Sequence, residues 1–195
     1  MRQKILLIDD SLRSRAAIKK AFEGSGFETI EGTSGLEAVR LVKETGPDVL
    51  FIAVGLPDLD GIEASARIME SHPLPIIILT SHQDPETVER AKEAGVMAYL
   101  LKPVREEQLR PAVEVASARF REFMALRVQN QDLTRTLEAR KLTERAKGIL
   151  MKREGLSESE AFRRLQNVSM ERRKPMVEVA EAILLSEEVA SRKRR

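Results

Sequence analysis

The chain of 195 residues predicts an α/β doubly wound, five-stranded parallel sheet, followed by a long helical coiled-coil connector and a small all-α three-helix domain. Three observations predict this architecture. Apolar runs and helical segments alternate as far as Leu101, which indicates five β/α units joined by right-handed crossovers. Helical periodicity then runs almost unbroken over residues 106 to about 153. Beyond a turn at Glu154-Gly155, two shorter amphipathic segments follow, and three short helices can bury one small core.

The first domain alternates predicted strands and helices in chain order. The strands are expected at residues 4–9, 27–30, 48–53, 75–80 and 98–101. The first, third and fourth are apolar along almost their whole length, which indicates burial on both faces of a parallel sheet. Helical spacing between them predicts helices at residues 11–23, 35–43, 61–70 and 85–93.

Chemically distinctive residues follow the predicted strands. Because ligands bind beyond the carboxyl ends of strands in such sheets, two carboxylates, a hydroxyl and an ammonium should gather around one methyl group. The residues are Asp9, Asp10, Ala53, Thr80 and Lys102. Taken singly, the acidic pair could cap the helix that begins near Ser11, and the lysine could simply be solvated.

Residues 4 to about 115 resemble the receiver domain of response regulators, which has a flavodoxin-like fold. The resemblance rests on the segment 48–61 and on matches at Asp9, Asp10, Thr80, Tyr99, Lys102 and Pro103. It implies that the acidic pair and a phosphoacceptor aspartate hold Mg²⁺, that the lysine contacts the phosphoryl group, and that the hydroxyl and the aromatic act as a switch. Ala53 stands at the acceptor position, and a methyl group cannot accept a phosphoryl group.

The missing carboxylate weakens the expected metal site. Mg²⁺ prefers octahedral oxygen coordination, so Asp9 and Asp10 should form a weak site at best, and no cofactor is expected to be required. Lys102 should then pair with Asp9 or Asp10. The resemblance to receivers also implies a cis Lys102-Pro103 peptide, a form that X-Pro bonds can adopt at modest cost. Asp58 and Asp60 are expected to cap the following helix. Two explanations for Ala53 stay open: a native pseudo-receiver, or an introduced Asp-to-Ala substitution.

The connector carries a short heptad pattern. An a-d-a-d-a frame fits Phe123, Leu126, Asn130, Leu133 and Leu137, and a buried Asn at an a position favours two strands in fixed register. Glu122 and Arg127 would pair across a parallel homodimer in this frame. The alternative is a single amphipathic helix that packs on its own chain. Pro111 should perturb the helix near its start.

The last part of the chain has its own signals. Leu142, Ala146, Ile149 and Leu150 share a helical face. Ser157 and Glu160 form a capping-box pattern at the start of a second helix, which is expected to end near Val168, and a third helix is expected at residues 175–189. Residues 144–151, 155–162, Leu165 and Ser169-Met170 resemble the ANTAR domain, over residues 126–186 in all. The resemblance implies a three-helix RNA-binding module of transcription antiterminators, which dimerise and hold hairpin loops of nascent mRNA.

Basic residues are concentrated in this region. Residues 1–110 hold 14 Lys and Arg against 18 Asp and Glu, net −4, whereas residues 111–195 hold 19 against 13, net +6. The expected RNA-binding residues are Lys141, Arg145, Ala146, Lys147, Gly148, Lys152, Arg153, Arg172, Arg173 and Lys174. Phe162 is expected in the core. The alternative for any single cation is generic surface charge.

These patterns predict a cytoplasmic, dimeric antitermination regulator that is not an enzyme and that binds structured RNA. Neither a transmembrane segment nor a signal peptide is expected, and the sequence contains no cysteine. The predicted boundaries are a receiver at 1–115, a connector at 116–140, an RNA-binding domain at 141–190 and a basic tail at 191–195. A histidine kinase or another protein is an expected partner. The alternatives are a signalling scaffold that binds proteins and a DNA-binding response regulator, although no helix-turn-helix motif is recognisable.

Overall fold

The structure, a computed structural model, describes residues 3–24, 26–81 and 84–192, with side chains described as far as Val189. It divides into two compact units, Met1–Met124 and Ala125–Arg195. Each unit has an apolar core of its own. The predicted basic tail lies mostly outside the described residues, and the predicted domain boundaries stay predictions.

The first unit is a parallel α/β sheet with helices between the strands. Its elements are β1 (Gln3–Ile8), α1 (Leu12–Phe22), β2 (Phe27–Gly32), α2 (Gly35–Thr45), β3 (Val49–Ala53), α3 (Gly61–Ser71), β4 (Ile76–Thr80), α4 (Pro85–Glu93) and β5 (Ala98–Leu101). The strands are all parallel, in the order β2-β1-β3-β4-β5. The predicted doubly wound sheet is confirmed.

The core of this unit lies on both faces of the central strands. Every residue of β3 and β4 is buried, as their continuous apolar sequences predict. Side-chain caps begin the helices: Ser11 accepts the Ser14 N–H at the start of α1, and Asp60 accepts those of Ile62 and Glu63 at the start of α3. The caps fix where each helix leaves the carboxyl edge of the sheet.

The loop after β3 closes tightly at a glycine. The Gly61 N–H donates to the Val54 carbonyl at 2.8 Å. A Cβ at Gly61 would collide with the backbone carbonyl of Ala53, so only glycine fits this position without rearrangement. The loop therefore holds the end of β3 in one place.

A long helix and two shorter ones complete the chain: α5 (Glu106–Glu154), α6 (Glu158–Arg172) and α7 (Met176–Arg192). α5 is helical throughout, with Pro111 inside it. In the second unit a small core joins all three helices, and its fully enclosed members include Ala146, Ala161 and Leu165. The predicted long helix and three-helix domain are confirmed. No helix within the described ranges has the length and apolar character needed to cross a membrane.

Two details of the second unit differ from the sequence prediction. α6 continues to Arg172, four residues beyond the predicted end near Val168, because Arg173 rather than a glycine takes the left-handed conformation (φ 52°) that ends it. Phe162 is 41% exposed and does not belong to the core, since Ala161 and Leu165 occupy the inward face of α6. An exposed aromatic side chain therefore lies beside the basic residues of this helix.

Candidate functional sites

A cavity of about 470 Å³ opens at the carboxyl edge of the sheet. Strand register brings its walls together, since Ala53 pairs with Leu79 and the Lys102 N–H donates to the Thr80 carbonyl at 2.8 Å. The lining includes four of the predicted positions: Asp10, Ala53, Thr80 and Lys102. The fifth, Asp9, lies directly behind this lining and is joined to it through Lys102.

Asp9 is fully buried and has partners on both carboxylate oxygens. Its Oδ1 accepts the Ser11 N–H at 3.0 Å, and its Oδ2 accepts the Ser14 hydroxyl at 2.7 Å. The Lys102 ammonium lies 2.5 Å from the same Oδ2. Of the two partners expected for Lys102, the structure therefore selects Asp9, and the buried carboxylate is neutralised by a cation.

Asp10 differs from Asp9 in lying on the exposed rim of the cavity. Ala53, the last residue of β3, is 3% exposed and contributes a methyl group where a third oxygen would be needed. No group of three or more His, Cys, Asp or Glu side chains in the described part of the chain is placed to hold a metal ion. Both carboxylate oxygens of Asp9 are engaged by Ser11, Ser14 and Lys102, so a Mg²⁺ ion would have to compete with these partners for Asp9.

The remaining predicted positions of this pocket are placed as follows. Thr80 is buried at the end of β4, whereas Tyr99 on β5 is 47% exposed. The Lys102-Pro103 peptide is cis, as expected. The sequence did not single out Ser14 or Arg15. The Ser14 hydroxyl donates to the Asp9 carboxylate, and the Arg15 guanidinium donates to the Asp9 carbonyl at 2.6 Å. Their residue types did not mark them, because a serine or an arginine near the start of a helix carries no signal of a buried partner.

Asp58 and Asp60 have different roles, which corrects the expectation that both cap the following helix. Asp60 caps α3 as expected. The Asp58 carboxylate instead accepts the N–H groups of Gly35 and Leu36, at 2.9 and 3.3 Å, at the start of α2. Desolvation acts to raise the pKa of Asp58, but the hydrogen bonds it accepts outweigh this and hold its pKa below the usual value.

In the second unit, three cations form a stripe along α5. At 100° per residue, Lys141, Arg145 and Lys152 lie on one side of the helix, with Gly148 among them. All three are exposed, and none makes an ion pair with any described residue. A Cβ at Gly148 would meet open space, so the helix backbone is accessible there. We call these four residues the basic stripe.

The predicted cations near the other helix ends are exposed as well. Arg153 lies 3.8 Å from Glu187 on α7, and Lys174 lies 2.7 Å from Glu178. Arg172 is the last residue of α6 and not part of the turn, where Arg173 and Lys174 lie. Hydrogen bonding to Glu178, followed by its charge, raises the pKa of Lys174.

Ala146 and Lys147 are placed differently from the other predicted RNA-binding residues. Ala146 is fully buried in the core of the second unit, so its side chain has no surface to offer a ligand. Lys147 is only 6% exposed, and its ammonium lies 2.9 Å from Glu144 and 2.8 Å from Glu158. Hydrogen bonds to Glu158 and then Glu144 raise the pKa of Lys147. Its charge is therefore already engaged within the chain.

The predicted dimer seam is exposed on α5 in the single chain. The exposed fractions are 38% for Phe123, 59% for Leu126, 63% for Leu133 and 58% for Leu137. The Asn130 amide donates to the Leu126 carbonyl at 3.2 Å. These side chains leave an apolar row with a polar residue in its middle.

Comparison with known proteins identifies both parts of the chain. A response regulator receiver domain matches residues 5–114, and an ANTAR domain matches residues 131–184. The transcriptional regulatory protein PdtaR of Mycobacterium tuberculosis is 39% identical over 183 residues, which cover 93% of this chain and 89% of that protein. YhcZ of Bacillus subtilis, an uncharacterized transcriptional regulatory protein, is 31% identical over 156 residues, or 75% of this chain and 73% of YhcZ. Among solved structures, the receiver domain of a modulated diguanylate cyclase from Desulfovibrio desulfuricans G20 is 33% identical with a TM-score of 0.56, covering 60% of this chain and 95% of that one.

Proposed function

Because the chain belongs to the response regulators that join a receiver domain to an ANTAR domain, we propose that it binds hairpin loops of nascent mRNA through its second unit and acts as a transcription antiterminator. The observation that carries this proposal is the basic stripe on α5, which lies within the residues matched to the ANTAR domain. On this proposal the protein works in the cytoplasm as a regulator and not as an enzyme.

The basic stripe suits a phosphate backbone. Each Lys or Arg that neutralises a phosphate releases counterions, so RNA binding should weaken steeply with salt. Gly148 has no side chain, so the RNA backbone could approach the helix closely between Arg145 and Lys152. Sequence is read in unpaired loop bases, and the exposed ring of Phe162 offers a surface on which a base could stack.

Two copies of the chain would present two such surfaces. We propose that the apolar row on α5 pairs with its equivalent in a second chain, with Asn130 fixing register and a parallel arrangement. The exposure of this row in the single chain supports the pairing, because a second helix would remove the apolar surface of these leucines from water.

The first unit would control this activity without a phosphoryl group at position 53. Ala53 has no oxygen to accept one, and the ion pair between Asp9 and Lys102 already balances the buried charge of the pocket. Control would then come from a protein partner, such as a histidine kinase that docks without transfer, or from assembly. This holds whether the alanine is native or introduced.

The test is binding to RNA at several salt concentrations. A pool of two-hairpin RNAs with randomised loops is selected on the full chain, and the dissociation constant of an enriched RNA is measured by filter binding. Lys152→Gln should weaken binding. It should also reduce the magnitude of the negative slope of log affinity against log salt by about 0.7 to 0.9. Lys43→Gln removes an equal charge from an exposed site in the first unit and serves as the matched control.

The rival functions give different results in the same assay. If the protein is a DNA-binding regulator, an unlabelled duplex DNA of the same length should displace the labelled RNA as well as unlabelled RNA does. A protein-binding scaffold would enrich no RNA, and its partner binding would not change with Lys152→Gln. Either result would reject the antiterminator proposal.

A further inference from the structure

Lys147 is unlike the other cations of α5. Lys141, Arg145 and Lys152 are exposed and make no ion pair with any residue that the structure describes, whereas Lys147 is 6% exposed and makes two. A cation placed to bind phosphate should reach solvent, but this ammonium is enclosed by carboxylates of its own chain. Lys147 is therefore placed to act on its own chain and not on a bound phosphate.

The two carboxylates belong to different helices. Glu144 lies one turn earlier on α5, 2.9 Å from the ammonium, and Glu158, 2.8 Å away, is the first residue of α6. Only residues 155–157 connect the two helices. The ammonium therefore ties the end of α5 to the start of α6 across this short connection.

The direction of Lys147 also separates it from the basic stripe. At 100° per residue, its Cα lies roughly 140° around α5 from the centre of the stripe. A phosphate bound along the stripe would be on a different side of the helix. Phe162 and Arg163, both exposed, lie in the second turn of α6, directly after the segment that Lys147 holds.

We propose that Lys147 is a positioning residue of the RNA-binding surface and not a phosphate contact: by joining Glu144 to Glu158 it fixes where Phe162 and Arg163 lie relative to the basic stripe. This inference rests on the proposed RNA-binding function. On this proposal Glu158, an acidic residue, strengthens the binding of a polyanion. A phosphate contact by Lys147 would predict the reverse, because loss of Glu158 would free the ammonium.

The test uses the full chain and the RNA selected from the randomised two-hairpin pool. Glu158→Gln should weaken binding about fivefold, as expected when one partly exposed ion pair is lost, with the salt slope unchanged. Lys147→Met should weaken binding further, again with an unchanged slope, and Lys147→Arg should restore most of the affinity. The ion pairs would then matter through geometry and not through counterion release.

Two control variants calibrate these effects. Lys152→Gln removes a cation from the basic stripe and should lower the salt slope by about 0.7 to 0.9. Glu171→Gln removes a carboxylate from an exposed site on α6 that makes no ion pair among the described residues, and should leave affinity unchanged or slightly higher. A drop in affinity for Glu158→Gln alone would separate the ion pair from general charge.

The inference is overturned if Glu158→Gln tightens binding, or if Lys147→Met lowers the salt slope as Lys152→Gln does. Circular dichroism establishes that each variant is folded. If Lys147→Met does not fold, Glu158→Gln and Lys147→Arg carry the test, because both keep the buried lysine stem or its equivalent. If the unaltered chain enriches no RNA from the pool, the proposed function is rejected and this inference falls with it.

Discussion

One methyl group determines what the sheet edge can do chemically. Ala53 occupies a position from which a side chain points toward Asp10, Thr80 and Lys102, yet it carries no oxygen. The sequence alone predicted which residues meet at this edge, because parallel strands bring their carboxyl ends together. It did not predict that Ser14 shares Asp9 with Lys102, since a serine within a helix carries no signal of a buried partner.

A carboxylate placed at this position should allow phosphoryl transfer to it. We expect Ala53→Asp to acquire a phosphoryl group from acetyl phosphate in the presence of Mg²⁺, while the unaltered chain does not, as measured by intact-protein mass spectrometry. A third carboxylate beside Asp9 and Asp10 should also lower the free energy of unfolding by about 1–3 kcal/mol without Mg²⁺.

Ala53→Asn is the matched control for this change, because it has the shape of Asp without a nucleophilic carboxylate. Equal labelling of the unaltered chain and the Ala53→Asp variant would refute the assignment of position 53. Labelling of the Asn variant would point to an acceptor elsewhere in the chain.

At the scale of elements, side-chain caps determine where helices begin. Ser157 and Glu160 form a reciprocal capping box at the start of α6, as the sequence pattern predicted. The end of α6 was missed because an arginine, Arg173, adopts a left-handed conformation that sequence patterns assign to glycine. Asp58 was assigned to the wrong helix because its side chain reaches across to α2, and no local pattern encodes a contact between distant segments.

The capping box should make the second unit sensitive to acid. Hydrogen bonds from the Ser157 hydroxyl and N–H lower the pKa of Glu160 from its ordinary value of 4.5. Since the folded pKa lies below the unfolded one, this stabilisation is fully present above about pH 4.5 and is lost as pH falls through the folded pKa. Glu160→Gln should flatten this part of the stability profile, and Ser157→Ala should cost about 1 kcal/mol at neutral pH.

This effect is measured by unfolding the full chain in urea at a series of pH values. NMR signals of the second unit report the unfolding. Glu181→Gln on α7 is the control, since Glu181 is exposed and makes no hydrogen bond or ion pair with the described residues. An identical pH profile for Glu160→Gln and the unaltered chain would contradict the expected linkage.

At the scale of the whole molecule, the sequence predicted the two kinds of architecture and the order in which they occur. Periodicity was enough because β3 and β4 are buried on both faces and α5 is long. Assembly is less accessible, because the heptad frame on α5 is short and an isolated amphipathic helix has the same pattern. Oligomeric state therefore has to be measured.

We expect the chain to dimerise through the apolar row of α5. Leu133→Glu should raise the dimer dissociation constant by at least about tenfold, because pairing would bury two unpaired charges. Sedimentation equilibrium measures this, and the melting temperature of the unaltered chain should rise with its concentration. Gln131→Glu, at an outer heptad position, is the control; a Leu133→Glu variant that stays fully dimeric would show that another surface mediates assembly.

The ion pairs of the second unit have a consequence for signalling. They move the pKa values of Lys147 and Lys174 upward and that of Glu158 downward, and the hydrogen bonds of the capping box lower the pKa of Glu160, in each case away from neutrality. Histidine, the side chain that ordinarily titrates near neutral pH, does not occur after His82 in this chain. A modest change in cellular pH would therefore leave the charge of the second unit unchanged. A signal should reach this unit through the binding of a partner and not through protonation.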